Sequence, residues 1–267
     1  MSGVQTLWLM VIFFATSSIG VVTGSTSLVT VPAMFQFHIE PRTAVATNMF
    51  ALTFMSIGGT LPFLKAQEVN RKRLPALISL TLLGSLIGAI LLLLTPSRAV
   101  PVVVTMAVIA VALFALIYRK SGVERSTIQP SAGAELVGYV FTFLLGIYGG
   151  FFSGGYVTIL TAIYVALFRL SFVEAIATTK LINVFSSAIA TGVFMWHGLV
   201  DYRLGLILGV TMFVGALVGA RLAIKVGDEW LRRIFLTAVW LLGLKVLFFD
   251  LLGCRTGCNE AAHSSRE

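Results

Sequence analysis

The chain is 267 residues long, 58% hydrophobic and only 11% charged. That balance excludes an ordinary soluble domain, because apolar segments of membrane-spanning length recur from end to end. The formal net charge of +8 does not point to nucleic acid: no basic stripe is interleaved with aromatics, and the basic residues fall where membrane loops should lie.

In chain order, long spans are predicted at 5–22, 43–64, 74–94, 99–118, 136–152, 172–196, 204–224 and 234–249. In a bilayer each must be helical, since only a helix satisfies its own backbone hydrogen bonds there. No Lys or Arg precedes the first apolar run, so the start does not read as a signal peptide. Two segments are too short to cross: 26–37 and 156–168 cover only about two-thirds of a ~30 Å hydrocarbon core. Each follows a glycine- and hydroxyl-rich break, at 20–27 and at 149–155. Such clusters interrupt a helix, although small residues also serve close helix packing. Gly84/Gly88 and Gly215/Gly219 have the spacing of packing alone.

The second half repeats the first at an offset of 131. Ala46-Thr47 returns as Ala177-Thr178, and Gly84-Ser85-Leu86-Ile87-Gly88-Ala89 returns as Gly215-Ala216-Leu217-Val218-Gly219-Ala220. Val69-Asn70 returns as Val200-Asp201. Nearer the start, the match is expected to slip by three residues, with Thr30 against Thr158 and Ser25-Thr26-Ser27 against Ser153-Gly154-Gly155. A duplicated apolar half-protein is the layout of a carrier whose halves face one another around one site.

Basic residues set the orientation. Lys65, Arg71, Lys72 and Arg73 share one loop, and Arg119, Lys120 and Arg125 another. In the second copy the loop around His197–Arg203 holds only Arg203, and the charge moves on to Arg221, Lys225, Arg232 and Arg233. A shift by one loop fits an inverted repeat with both termini outside the cytoplasm. The expected fold is therefore an all-α integral membrane protein of two inverted repeats, with about 8–10 membrane helical segments, two of them broken or re-entrant hairpins. The divisions are 1–120, a cytoplasmic linker 121–134, 135–250, and a tail 251–267. Cys254 and Cys258 stand in that tail; whether they pair is open, and no cysteine–histidine set completes a metal site.

Helices that start inside a membrane expose unpaired N–H groups and a positive dipole end, which suit an anion. The candidate substrate contacts are Ser25, Thr26, Ser27 and Thr30 at the first break, and Ser153, Gly154, Gly155 and Tyr156 at the second. Thr158 adds a hydroxyl there. Asn48, beside Thr47, and Thr179, beside Thr178, open the following long helices. Lys180 is the sharpest residue, an ammonium deep in an apolar helix, and Asn183 lies one turn on. A lysine at that depth needs a wet cavity, a partner or a snorkelling route to the interface. Lys245 can reach the outer interface, Arg221 the inner one, and His38 and His197 lie near helix ends. No hydrolase, zincin or phosphate-loop motif is present, so an enzyme is not expected and no cofactor is implied.

At these residues the chain resembles the TauE/SafE sulfite exporter family, also called the TSUP permeases. The resemblance rests on 20–32 with 44–48, 146–155 with 175–183, and 215–221, and covers most of residues 5–250. Ala177-Thr178-Thr179-Lys180-Leu181-Ile182-Asn183 is its most specific stretch. It implies a secondary carrier of the cytoplasmic membrane, its partners a small anion and the lipid bilayer. The anion would be sulfite or an organosulfonate such as sulfoacetate, usually exported. A coupling proton or ion, a homodimer, a carboxylate permease working in uptake and a non-transporting scaffold or assembly factor all stay open. Two departures stand out. The first break carries Gly24-Ser25-Thr26-Ser27 in place of a glycine run, and Met49 stands where the family commonly has lysine. A single lysine favours a singly charged or hydroxyl-coordinated substrate.

Overall fold

The computed structural model describes residues 3–65, 73–118 and 130–226. The predicted span 234–249, Lys245, the cysteines and the basic residues at 71–72, 119–125 and 232–233 lie outside the described residues. The described chain is all-helical: α1 (Gly3–Thr23), α2 (Ser27–Gln36), α3 (Pro41–Lys65), α4 (Leu74–Leu94), α5 (Val100–Tyr118), α6 (Ala132–Phe151), α7 (Tyr156–Phe168), α8 (Phe172–Trp196) and α9 (Tyr202–Val226). Six of these, α1, α3, α4, α6, α8 and α9, are long and apolar enough to cross a membrane.

Local chemistry sets the helix ends. Ser171 and Glu174 form a reciprocal capping box at the start of α8, and the Ser131 hydroxyl accepts from the Ala134 amide at the start of α6. Both breaks are shorter than expected. α1 continues through Gly20 to Thr23, and α6 continues through Gly149 and Gly150 to Phe151, which leaves 24–26 and 152–155 as the interruptions. The extra glycines are contact points. A methyl on Gly20 would lie 1.8 Å from the Thr26 Oγ1, and one on Gly150 would lie 2.1 Å from the Ser85 carbonyl oxygen.

The repeat holds at a constant offset of 131 through the breaks, so the expected three-residue slip is overturned. Gly24 and Gly155 both turn the chain in the left-handed region, at φ +70° and +75°. His38 and Arg169 close the short helices at φ 58° and 57°. Thr30 bonds Asn48 at 2.7 Å, while Thr161 bonds Thr179 at 3.1 Å. Thr161, not Thr158, is therefore the counterpart of Thr30. The slip arose because both breaks are hydroxyl–glycine mixtures whose letters align almost as well three residues away.

The halves interlock by exchanging their fourth helices. α4 packs along α6 and α8, whereas α9 packs along α1 and α3. The contacts along α9 run in parallel: Thr47 and Phe50 meet Gly205, Phe54 meets Gly209, and Phe213 meets Gly58. α3 and α8, which correspond at the 131 offset, cross in opposite directions. Thr53 meets Thr191, Ser56 meets Asn183, and Gly59 meets Lys180. Lys65, Arg73, Arg169, Arg221 and Lys225 consequently gather at one end, and Arg42, Arg98 and Arg203 at the other. At the first end Arg73 pairs with Glu135 and lies over the Phe168 ring at 5.3 Å. At the second, Arg42 donates to the Thr95 carbonyl and Ser97 to Glu40.

Candidate functional site

α3 and α8 are the most deeply buried of the long helices, and the polar side chains collect around them. Asn48 accepts from Thr30 at 2.7 Å and donates to the Ser27 Oγ at 3.0 Å, tying the first turn of α2 to α3. Thr26 is buried and reaches the Thr16 carbonyl at 3.4 Å; Ser25 is half-buried and shares a 2.9 Å bond with Thr23. The two breaks meet crosswise. Thr158 donates to the Thr23 carbonyl at 2.6 Å, and Gly24 sits so close that a methyl there would lie 2.6 Å from the Thr158 amide. On the opposite side Leu28 packs on Gly154, whose carbonyl accepts from the Tyr148 hydroxyl.

α8 carries two polar faces. One, with Lys180, Asn183, Ser187 and Thr191, looks toward α3; the other, with Thr179 and Ser186, looks toward α7 and α4. Lys180 is 2% exposed, so it does not snorkel. Its Nζ donates to the Gly20 carbonyl oxygen at 3.0 Å, in the last turn of α1. That carbonyl also accepts from the Gly24 amide at 2.8 Å. The negative end of the α1 dipole and a carbonyl thus offset the desolvated charge. Among the described residues no carboxylate is within ion-pair distance of it. Asn183 donates to the Ser56 Oγ at 2.6 Å, while its Oδ1 is buried with no partner. Thr47 anchors α9 instead, its hydroxyl accepting from the Asp201 amide at 3.0 Å. Ser25, Ser153 and Gly155 make no hydrogen bond to Lys180, which is joined to the first break only through Gly20.

The family model described as Sulfite exporter TauE/SafE matches residues 9–246. The chain belongs to the TauE/SafE family. It is similar to the probable membrane transporter protein ORF9 of Sinorhizobium sp, 27% identical over 90% of this chain and 91% of the relative. It is similar also to the probable membrane transporter protein YfcA of Escherichia coli K12, 26% identical over 92% and 91%. A probable membrane transporter protein of Haemophilus influenzae is 24% identical over 88% and 91%. No solved structure matches the chain. With six helices among the described residues long and apolar enough to cross a membrane, and with this membership, the chain is a multi-pass membrane transporter of the TauE/SafE family.

Within that family framework, sequence reasoning missed several partners. The Gly20 carbonyl is a backbone acceptor, which no residue letter announces. Ser56 was legible only as the 131-offset counterpart of Ser187, and Thr161 only once the offset is kept constant through the breaks. Met49, the counterpart of Lys180, is fully buried on α3, so this TauE/SafE chain carries one lysine where its two halves converge.

Proposed function

We propose that this transporter is a secondary carrier that exports a small oxyanion, sulfite or an organosulfonate, across the cytoplasmic membrane. The observation that carries the reading is Lys180: a fully buried ammonium, tied to the end of α1 at the helix break, with no carboxylate partner among the described residues. A lysine costs about 2.5–3.5 kcal/mol at membrane depth on insertion scales, and a diffusible anion is the partner that justifies keeping it there. The substrate would be held by Lys180, by the hydroxyls and amide of Ser25, Thr26, Ser27, Thr30, Asn48, Thr179 and Asn183, and by the second break at Ser153, Gly154 and Gly155. The test is flux of labelled sulfite, an organosulfonate and a dicarboxylate in proteoliposomes. Sulfite or sulfonate movement is expected. Movement of the dicarboxylate alone would replace the substrate class, and no flux of any of the three would overturn the oxyanion reading.

The repeats 1–120 and 135–250, joined by 121–134, would be inverted, and the opposed crossing of α3 and α8 supports this. The end bearing Lys65, Arg73, Arg169, Arg221 and Lys225 would face the cytoplasm by the positive-inside rule. Both termini would then lie outside, with Cys254 and Cys258 accessible there. A membrane-impermeant thiol reagent should label them in intact, reduced cells; labelling only after lysis would reverse the topology.

A further inference from the structure

Hydroxyls inside apolar helices usually return their proton to the carbonyl one turn back. Thr16, Ser18, Thr53, Thr60, Thr142 and Thr211 all do so here. Thr81 on α4 does not: its Oγ1 is fully buried and has no hydrogen-bond partner. The Tyr156 hydroxyl at the start of α7 is likewise fully buried and without a partner, near the hydroxyls of Thr81 and Ser186 but outside bonding geometry.

The proton count around them is determined. A serine hydroxyl has one proton. Ser85 gives its own to the Gly146 carbonyl at 3.1 Å, so in the 2.7 Å contact between Ser85 and Ser186 it is Ser186 that donates. That leaves two uncommitted donors, Tyr156 O–H and Thr81 O–H. The described acidic residues, Glu40, Glu135, Glu174 and Asp201, all stand at helix ends, far from this cluster. A pair of free donors with no nearby carboxylate suits an anion's oxygens.

The duplicated architecture supplies an internal control. At the 131 offset, Tyr156, Thr81, Ser85 and Ser186 correspond to Ser25, Met212, Ala216 and Met55. The same packing position is thus built almost without hydroxyls in the other half, so the cluster is not a by-product of the fold. We propose that Tyr156 and Thr81 form a second oxyanion station between α4, α7 and α8, distinct from Lys180, where the transported anion is held by neutral donors. The station rests on the anion-carrier reading and adds a second stop on its path: a charged one on the α3-facing side of α8, and a neutral one on the other.

The test compares wild type, Tyr156→Phe and Thr81→Val as full-length protein, measuring melting temperature without anion and the Kd of sulfite and of ethanesulfonate. An unpaired buried hydroxyl destabilises the empty protein, and its removal with shape conserved relieves that. Tyr156→Phe should therefore raise the anion-free melting temperature by about 2–4 °C and weaken anion binding about tenfold, with Thr81→Val moving both quantities the same way. Wild-type binding left intact by both substitutions overturns the station alone, and a lowered melting temperature with intact binding assigns the hydroxyls to a buried water instead. If wild type binds neither anion, the carrier reading falls and the station with it.

Discussion

Replacing Gly88 with alanine should destabilise the protein by about 3 kcal/mol or more, at or beyond the upper end for overpacking. The added methyl would lie 1.9 Å from the Ile147 carbonyl oxygen and 2.7 Å from the Phe151 amide nitrogen. Both are backbone atoms of α6, so no side chain can swing aside and the helices must separate along their whole contact. Gly219→Ala should act alike on the other side, where the methyl would meet the Ser18 carbonyl of α1 at 2.0 Å. The control is Gly192→Ala on α8, with nothing within 4 Å; there the better helix former should be neutral or gain up to about 1 kcal/mol. Thermal unfolding of the three variants in detergent decides the matter. A Gly88→Ala protein that melts with wild type would mean that α4 and α6 do not approach this closely.

The size of that effect follows from how the halves interlock. Because α4 rests on α6 and α8 while α9 rests on α1 and α3, each close crossing joins one repeat to the other. Neither repeat buries its own glycine face alone. The same exchange brings the two breaks together, since α1 and α6 each end beside the short helix of the opposite half: Thr158 on the Thr23 carbonyl, Leu28 on Gly154. Packing glycines and the hydroxyls of the breaks are thus parts of one arrangement, so lost expression after mutation in this region says little about binding by itself.

Much of this was legible in the sequence, for identifiable reasons. Spans are long and apolar because the bilayer demands it, so α4, α7 and α8 begin and end at the expected residues, and α1, α3 and α9 within about two. The short helices were readable because glycine marks the left-handed turns at Gly24 and Gly155. What letters could not convey is which neighbour a helix face meets. Gly149 and Gly150 read as part of a break, yet they are helical surface pressed on Tyr156 and Ser85. Thr81, Ser85 and Ser186 sit on α4 and α8 as ordinary hydroxyls, and only packing reveals that two of the three are committed to each other. Lys180 stood out by its charge, but its partner is a main-chain oxygen, which every residue possesses.

Lys180→Met tests the centre of the proposed carrier. The substitution keeps the apolar stem and deletes the ammonium. Its cost to folding should be small, because the Gly20 carbonyl keeps its 2.8 Å bond from the Gly24 amide and is not orphaned. What is lost is one hydrogen bond to a charged donor, on the order of 1.5–3 kcal/mol, and what is relieved is a burial cost of about 2.5–3.5 kcal/mol. These nearly cancel, so the melting temperature of the anion-free protein should shift little or rise. An ammonium carries three N–H donors and Gly20 takes one, so the charge and the remaining donors are available to an anion entering beside Asn183. Anion affinity should fall by about 1–3 kcal/mol, the range for charge-assisted hydrogen bonds, and flux should fall with it. A purely structural lysine gives the reverse: a lower melting temperature, with unchanged affinity in the protein that survives. Unchanged affinity in a stable Lys180→Met protein would remove the lysine from the site.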